Sequence, residues 1–223
     1  MAVIHGKTII QRVYEQASLA LDEVCVATDD RRIYDHVATF GKVFMTSKFH
    51  RSGTDRCNEV LRKEYTDFGY VINIQGDEPF IDPEQIRMLK SCLDGTVELA
   101  TLCKEISDFD ELKSPNVVKV VNDKEEFALY FSRNPIPYIK AVNMGEWLME
   151  KQHYKHIGVY AYRSDVLQEI SSLETSFLEK AESLEQLRWL ENGYRIKCLA
   201  TKYESMGIDT PEDLEKAISF YGD

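Results

Sequence analysis

The stretch Tyr70–Pro79, YVINIQGDEP, decides how the chain is read. It opens with a β-rich apolar run, Tyr70–Ile74, breaks at Gln75-Gly76, and sets Asp77-Glu78 directly behind the break. Asp82-Pro83 then forms an N-cap with proline at the first helical position, and Ile86, Leu89 and Leu93 continue one apolar helix face. A buried strand, a polar turn and a capped helix make up the repeating unit of layered α/β sheets.

The same alternation extends in both directions. Upstream, Ile10, Val13, Ala17 and Ala20 fall at helical spacing, Val24–Ala27 is a short β-rich run, and Ile33 with Val37 marks a second helix closed by Gly41. Further apolar runs lie at Val43–Met45, Val97–Leu102, Val117–Val121, Ala128–Phe131 and Ile157–Tyr162. Thr210-Pro211-Glu212-Asp213 repeats the helix-start signal near the carboxyl end. The expected fold is α/β, a mainly parallel mixed sheet flanked by helices, in one domain over residues 1–223. The stretch 134–155, with two prolines and then Trp147, Met149 and Tyr154 among charges, is expected to be a lid or an oligomer contact.

Composition narrows the function. The 223 residues carry 27 Lys+Arg against 38 Asp+Glu, a net charge of −11, which argues against a nucleic-acid surface. Hydrophobic residues make up 43%, too many for a disordered acidic chain, yet no apolar run approaches the roughly 18 residues of a membrane span. Polar His5, Lys7, Gln11 and Arg12 stand where a signal peptide would be apolar, and the five cysteines are scattered with no C-x-x-C pair. Both features lead us to expect a reduced, cytoplasmic protein.

Ligands of open α/β sheets bind beyond the carboxyl ends of the strands, so the polar clusters that follow apolar runs carry the chemistry. Asp77 is placed to hold Mg²⁺, an ion that takes oxygen ligands, although a lone aspartate there is also an ordinary turn or cap residue. Asp209, in Gly207-Ile208-Asp209-Thr210-Pro211, is a second strand-end carboxylate, with an N-cap as its simpler reading. Ser52-Gly53-Thr54-Asp55-Arg56 offers helix N-terminal amides to an anion or a base edge, and Arg56 offers a forked contact. A capped helix with a solvated arginine is equally compatible. His153-x-x-His156 is not a zinc pair, because residues three apart on a strand face opposite ways. His156 and Tyr160 share one face and, with Arg133, are candidates to line a pocket; a half-buried pair is the plain alternative. Glu182–Arg188 is an amphipathic helix with Leu184, Leu187 and Leu190 inward, which by itself leaves Glu185 and Gln186 facing solvent.

Thr28-Asp29-Asp30, Ser52–Arg56, Asn73–Pro79, Ala128–Arg133, His156-Ile157-Gly158, Glu182–Arg188 and Gly207–Leu214 occur in this order. Together they resemble the 3-deoxy-manno-octulosonate (KDO) cytidylyltransferase family, the CMP-KDO synthetases of lipopolysaccharide biosynthesis, over about Val3 to Ala217. The resemblance implies a Rossmann-like nucleotidyltransferase fold, a homodimer, and transfer of CMP from CTP to KDO with release of pyrophosphate. It implies Mg²⁺ held by Asp77 and Asp209, and cytidine near Thr28, Asp29, Ser52, Gly53 and Arg56. Gln75, Arg133, His156, Tyr160, Glu185 and Gln186 would surround the sugar acid, which reverses the solvent-facing reading of Glu185 and Gln186. The family opens with a first strand, usually central in the sheet, and a phosphate loop rich in Arg and Lys; this sequence starts after that loop, at the segment matching Ala2–Lys7. A chain without those cations is expected to be a poor catalyst, since fixed positive charge supplies much of the barrier reduction in such reactions. Two other functions are compatible with the motifs. One is a cytidylyltransferase for sialic acid or an amino-KDO; the other is a noncatalytic binder of a sugar acid or nucleotide.

Overall fold

The structure is a computed structural model that describes residues 1–150, 153–204, 207–208 and 210–220. It begins with the small ladder of β1 (Val3–Ile4) and β2 (Lys7–Thr8), followed by α1 (Ile9–Ser18), β3 (Cys25–Thr28), α2 (Arg31–Val37) and β4 (Lys42–Met45). Then come α3 (Gly53–Glu64), β5 (Tyr70–Asn73), α4 (Pro83–Ser91), β6 (Leu99–Glu105), α5 (Phe109–Lys113), β7 (Lys119–Asn122) and β8 (Ala128–Ser132). After a 3₁₀ turn at Met144–Glu150, the chain continues through β9 (Tyr154–Arg163), α6 (Ser164–Ile170), α7 (Phe177–Glu182), α8 (Gln186–Glu191), β10 (Ile196–Ala200) and α9 (Pro211–Phe220).

The helix starts follow the cap chemistry. Asp82 accepts from Glu84 N–H while Gln85 reaches back to the Asp82 backbone, a full capping box with Pro83 inside it. Thr210 Oγ1 likewise accepts from Asp213 N–H ahead of α9. Gly41 departs from its expected role. The helix before it ends at Val37, and Gly41 does not take the left-handed conformation of a capping glycine. A Cβ at Gly41 would lie 2.6 Å from Tyr14 Cζ, so glycine is required there by close approach of an aromatic ring.

The sheet is mixed, as expected, but it is not mainly parallel: among the described residues β10–β6 is the one parallel pair of the six-stranded sheet. The reason is that β7–β8 is a hairpin and long β9 enters the sheet antiparallel to every neighbour. β6 lies along one edge of this ten-residue strand, and the opposite edge is divided between β7, at Tyr154–Lys155, and β5, at Tyr160–Arg163. Long β9 is thus the hub of the six-stranded sheet. β3 and β4 form a separate parallel ladder. Between β3 and β5 lies a cavity of about 710 Å³, walled by Cys25–Ala27 and Tyr70–Asn73, by Val13 and Ala17 of α1, and by Cys57, Val60 and Leu61 of α3. Facing this cavity leaves Val26, Val71 and Ile72 only half-buried, although their sequence is that of interior strands.

Two apolar cores flank the hub. On one side Tyr160, Tyr162, Trp189, Leu187 and Phe131 pack together; on the other Ile86, Leu89, Leu102, Ile157 and Val159 do. The stretch 134–155 is tied down by a small separate core in which Trp147 packs with Ile106, just after β6, and Leu112 of α5.

Candidate active site

Two sets of residues meet at the carboxyl ends of β3 and β5. The first set hangs on the start of α3. Ser52 caps this helix by accepting from Asp55 N–H at 3.2 Å, which directs the first-turn amides outward. Arg56, one turn in, donates to Thr46 Oγ1 and lies 3.4 Å from Asp29 Oδ1, so its fork joins the end of β4 to the turn after β3. Thr28 is buried there, its Oγ1 accepting from Asp30 N–H at 3.1 Å. Thr28, Asp29, Ser52, Gly53 and Arg56, expected together from the sequence, are neighbours in space.

The second set follows β5 and β9. A Cβ on Gly53 would come 3.2 Å from Asn73 Nδ2 and 3.5 Å from Gln75 Nε2, so the helix start is packed directly on the end of β5. The His156 and Tyr160 rings lie tilted at 5.2 Å, and Tyr160 meets Trp189 edge-on at 5.1 Å. The Tyr160 hydroxyl is buried with no hydrogen-bond partner among the described residues, an unusual state for a phenol in a core.

Glu185 Oε2 accepts from Thr54 Oγ1 at 2.9 Å, and Gln186 is 5% exposed. The solvent-facing reading of both residues is therefore wrong, and the cause is local. One continuous helix was assumed over Glu182–Arg188, but Ser183 takes a left-handed conformation (φ 54°), which ends α7 and rotates α8 so that Gln186 points inward. Burial raises the Glu185 carboxyl above its ordinary range, opposed by hydrogen bonds from Thr54 and Ser52.

Arg133 does not join His156 and Tyr160 by any direct contact among the described residues. Its guanidinium donates to the carbonyls of Glu182 (2.7 Å), Pro115 (2.9 Å) and Ser183 (3.3 Å), and its backbone N–H donates to Glu182 Oε2. It anchors the turn that presents Glu185.

His153 and His156 do not pair, in keeping with their strand spacing: His153 contacts Pro137 O and His156 contacts Thr101 Oγ1. Burial pushes the His156 imidazole down to about 3, so it is neutral at physiological pH. Unfolded histidine titrates near 6.5, so between about pH 3 and 6.5 the unfolded chain binds the extra proton and stability falls as pH falls through that window. His156→Gln is expected to flatten this part of the melting-temperature profile. A profile as steep as wild type would show that other groups set the acid limb.

Asp77 lies in the turn closed by Glu78 N–H to Gln75 O, and its carbonyl accepts from Ile208 N–H at 2.9 Å. The 207–208 turn therefore abuts the 77–78 turn, and a Cβ on Gly207 would sit 3.5 Å from Glu78 Oε1. Asp209 itself lies outside the described residues. No group of three or more His, Cys, Asp or Glu side chains gathers as a metal centre among the described residues. Carboxylate oxygens at the junction of two loops nevertheless suit Mg²⁺, which binds through one or two carboxylates and fills its shell with water and phosphate.

Thr46, Thr54, Asn73 and Tyr162 also belong to this site and were not singled out by sequence. Thr54 stands inside the Ser-Gly-Thr motif, and Tyr162 alternates with Tyr160 along β9; those were the available signals.

The sequence profile of the cytidylyltransferase family matches residues 1–197. The chain is 55% identical over 226 aligned residues to a 3-deoxy-manno-octulosonate cytidylyltransferase of Parabacteroides distasonis, covering 99% of this chain and 90% of that one. It is 53% identical to the protein of the same name from Bacteroides thetaiotaomicron, with the same coverage of each. Among solved structures, a CMP:2-keto-3-deoxy-manno-octonic acid synthetase complexed with CTP superposes with a TM-score of 0.90 at 43% identity, covering 98% of this chain and 89% of that one.

Proposed function

From the premise that the chain belongs to the cytidylyltransferase family, we propose that it transfers CMP from CTP to 3-deoxy-manno-octulosonate, giving CMP-KDO and pyrophosphate. The observation that carries this reading is the packing of Gly53 on Asn73 and Gln75, which sets a nucleotide-type helix start directly on the polar end of β5.

Ser52, Gly53 and Arg56, with Thr28 and Asp29, hold the cytidine. Tyr160, Glu185, Gln186, Gln75 and neutral His156 offer the sugar acid a mixture of donors and acceptors for its hydroxyls. Arg133 acts by holding the turn that carries Glu185. The anomeric hydroxyl of KDO gives up its proton to solvent as its oxygen bonds to the α-phosphorus of CTP, the bond to the bridging oxygen breaks, and pyrophosphate leaves with those electrons. The protein's main contribution is to hold the two reactants in line. Asp77, with Asp209, would hold Mg²⁺, which when bound supplies positive charge against the phosphates. We further take the protein to act as a cytoplasmic homodimer in lipopolysaccharide synthesis, with the stretch 134–155 as lid or dimer contact.

Pyrophosphate release from CTP by the full-length protein, measured against a panel of sugar acids, tests the assignment. KDO should be preferred over sialic acid and an amino-KDO. Preference for either of those would move the chain to a different sugar. Tight KDO binding with no release from any member of the panel would make it a binding protein.

A further inference from the structure

Glu185 is held from two sides, by Thr54 and Ser52 at the start of α3 and by Arg188 of α8, and the two holds differ in kind. Thr54 Oγ1 donates to Oε2 at 2.9 Å, whereas Arg188 Nη2 approaches Oε1 at a longer 3.3 Å. Arg188 has firmer partners elsewhere. It donates to Glu179 Oε1 at 3.0 Å and to Leu173 O at 2.9 Å, and its Nε lies 2.9 Å from Glu179 Oε2. The shorter contact, a hydroxyl on a carboxylate, is of the charge-assisted type that fixes geometry best.

The donor is well placed for that task. Thr54 is 2% exposed and is the second residue of α3, between the Gly53 and Arg56 assigned to the nucleotide. Its hydroxyl also lies 3.4 Å from the Tyr162 hydroxyl, which accepts from Asn73 Nδ2 at 3.5 Å. A chain of polar groups therefore runs from the end of β5 through β9 and α3 to the turn before α8. In it the carboxylate is tied to a residue 131 positions away.

We propose that Thr54 is a positioning residue for the sugar acid: by holding Oε2 it fixes the Glu185 carboxylate, leaving the remaining lone pairs to accept from sugar hydroxyls. This rests on the reading above that Glu185 faces the sugar. A carboxylate has about four acceptor sites, so its protein donors do not exhaust it. Released from Thr54, a carboxylate in this buried place turns toward whichever donor or water compensates it, and the acceptor geometry for the sugar is lost. Because the hold comes from the start of the nucleotide helix, the two half-sites are set relative to each other through Glu185.

The test is calorimetric titration of KDO and, separately, of CTP into full-length wild type, Thr54→Val, Thr54→Ser, Glu185→Gln and the Thr54→Val/Glu185→Gln double variant. Valine keeps the shape of threonine and serine keeps its hydroxyl. Thr54→Val is expected to weaken KDO about tenfold, in the range for loss of a hydrogen bond to a charged group. CTP affinity should stay within about twofold and Thr54→Ser should restore KDO binding, a pattern that general loosening of the fold would not give. The double variant should be no worse than Glu185→Gln alone. Wild-type KDO affinity in Thr54→Val, equal losses for KDO and CTP, or no rescue by serine would each overturn the proposal. If Glu185→Gln itself binds KDO like wild type, the assignment of Glu185 to the sugar fails first, and the Thr54 proposal fails with it.

Discussion

Asp77→Asn is expected to abolish pyrophosphate release by about a thousandfold or more, the scale of losing a metal-held charge worth several kcal/mol in the transition state. The substitution keeps size, and the Asp77 backbone carbonyl bonded to Ile208 N–H, one tie between this turn and its neighbour, is retained by the variant. The melting temperature should therefore stay within a few degrees of wild type, roughly the effect of 1 kcal/mol in a chain of this size. Kinetics and a thermal melt on the same preparation separate the two effects. Turnover near wild type would remove Asp77 from the metal role. Loss of the fold together with activity would show the carboxylate to be structural.

Trp189→Ala should cost about 3–5 kcal/mol of stability, the range for deleting a buried tryptophan and leaving its cavity. Trp189 is 1% exposed and meets Tyr160 and Tyr162 edge-on at 5.1 and 5.7 Å, so two aromatic pairs are lost with it. At about 2–4 °C per kcal/mol, the melting temperature should fall by roughly 10 °C. The same substitution removes the wall behind Tyr160, so KDO affinity should fall while CTP, held on the other side by α3, is bound nearly as before. A melting shift under about 2 °C would contradict the place given to Trp189 at the centre of the core.

The sequence reports best on features set by local chemistry. The capping box at Asp82, the turn after Tyr70–Asn73 and the α3 start at Ser52-Gly53 are decided within a few residues, and all form where the pattern puts them. It reports poorly on what long-range packing decides. Ile196–Ala200 carries only a short alternation, Ile196-Lys197-Cys198, and its parallel place beside β6 is set by residues far off in the chain. Gly41 looks like a helix terminator, but its reason is the ring of Tyr14 on a distant helix. The Glu182–Arg188 pattern is amphipathic in every residue, yet one left-handed serine divides it, and no periodicity analysis registers a single φ. At the site, residue types and order were readable, including the nucleotide-side cluster. Thr54 and Tyr162 were not, because their importance lies in a bond to a carboxylate 131 residues away and in a shared core. Arg133 shows the opposite difficulty. Its type suggested a direct ligand, while its surroundings supply it with three carbonyl partners.

A crystal structure of the full-length protein with KDO and the uncleavable α,β-methylene analogue of CTP is the most direct measurement. The cytosine ring should lie against Ser52–Arg56 and Thr28-Asp29, and the sugar acid between Tyr160 and Glu185, with its anomeric oxygen facing the α-phosphorus. A nucleotide bound away from the start of α3, or a sugar that touches neither Tyr160 nor Glu185, would contradict the convergence of the two half-sites.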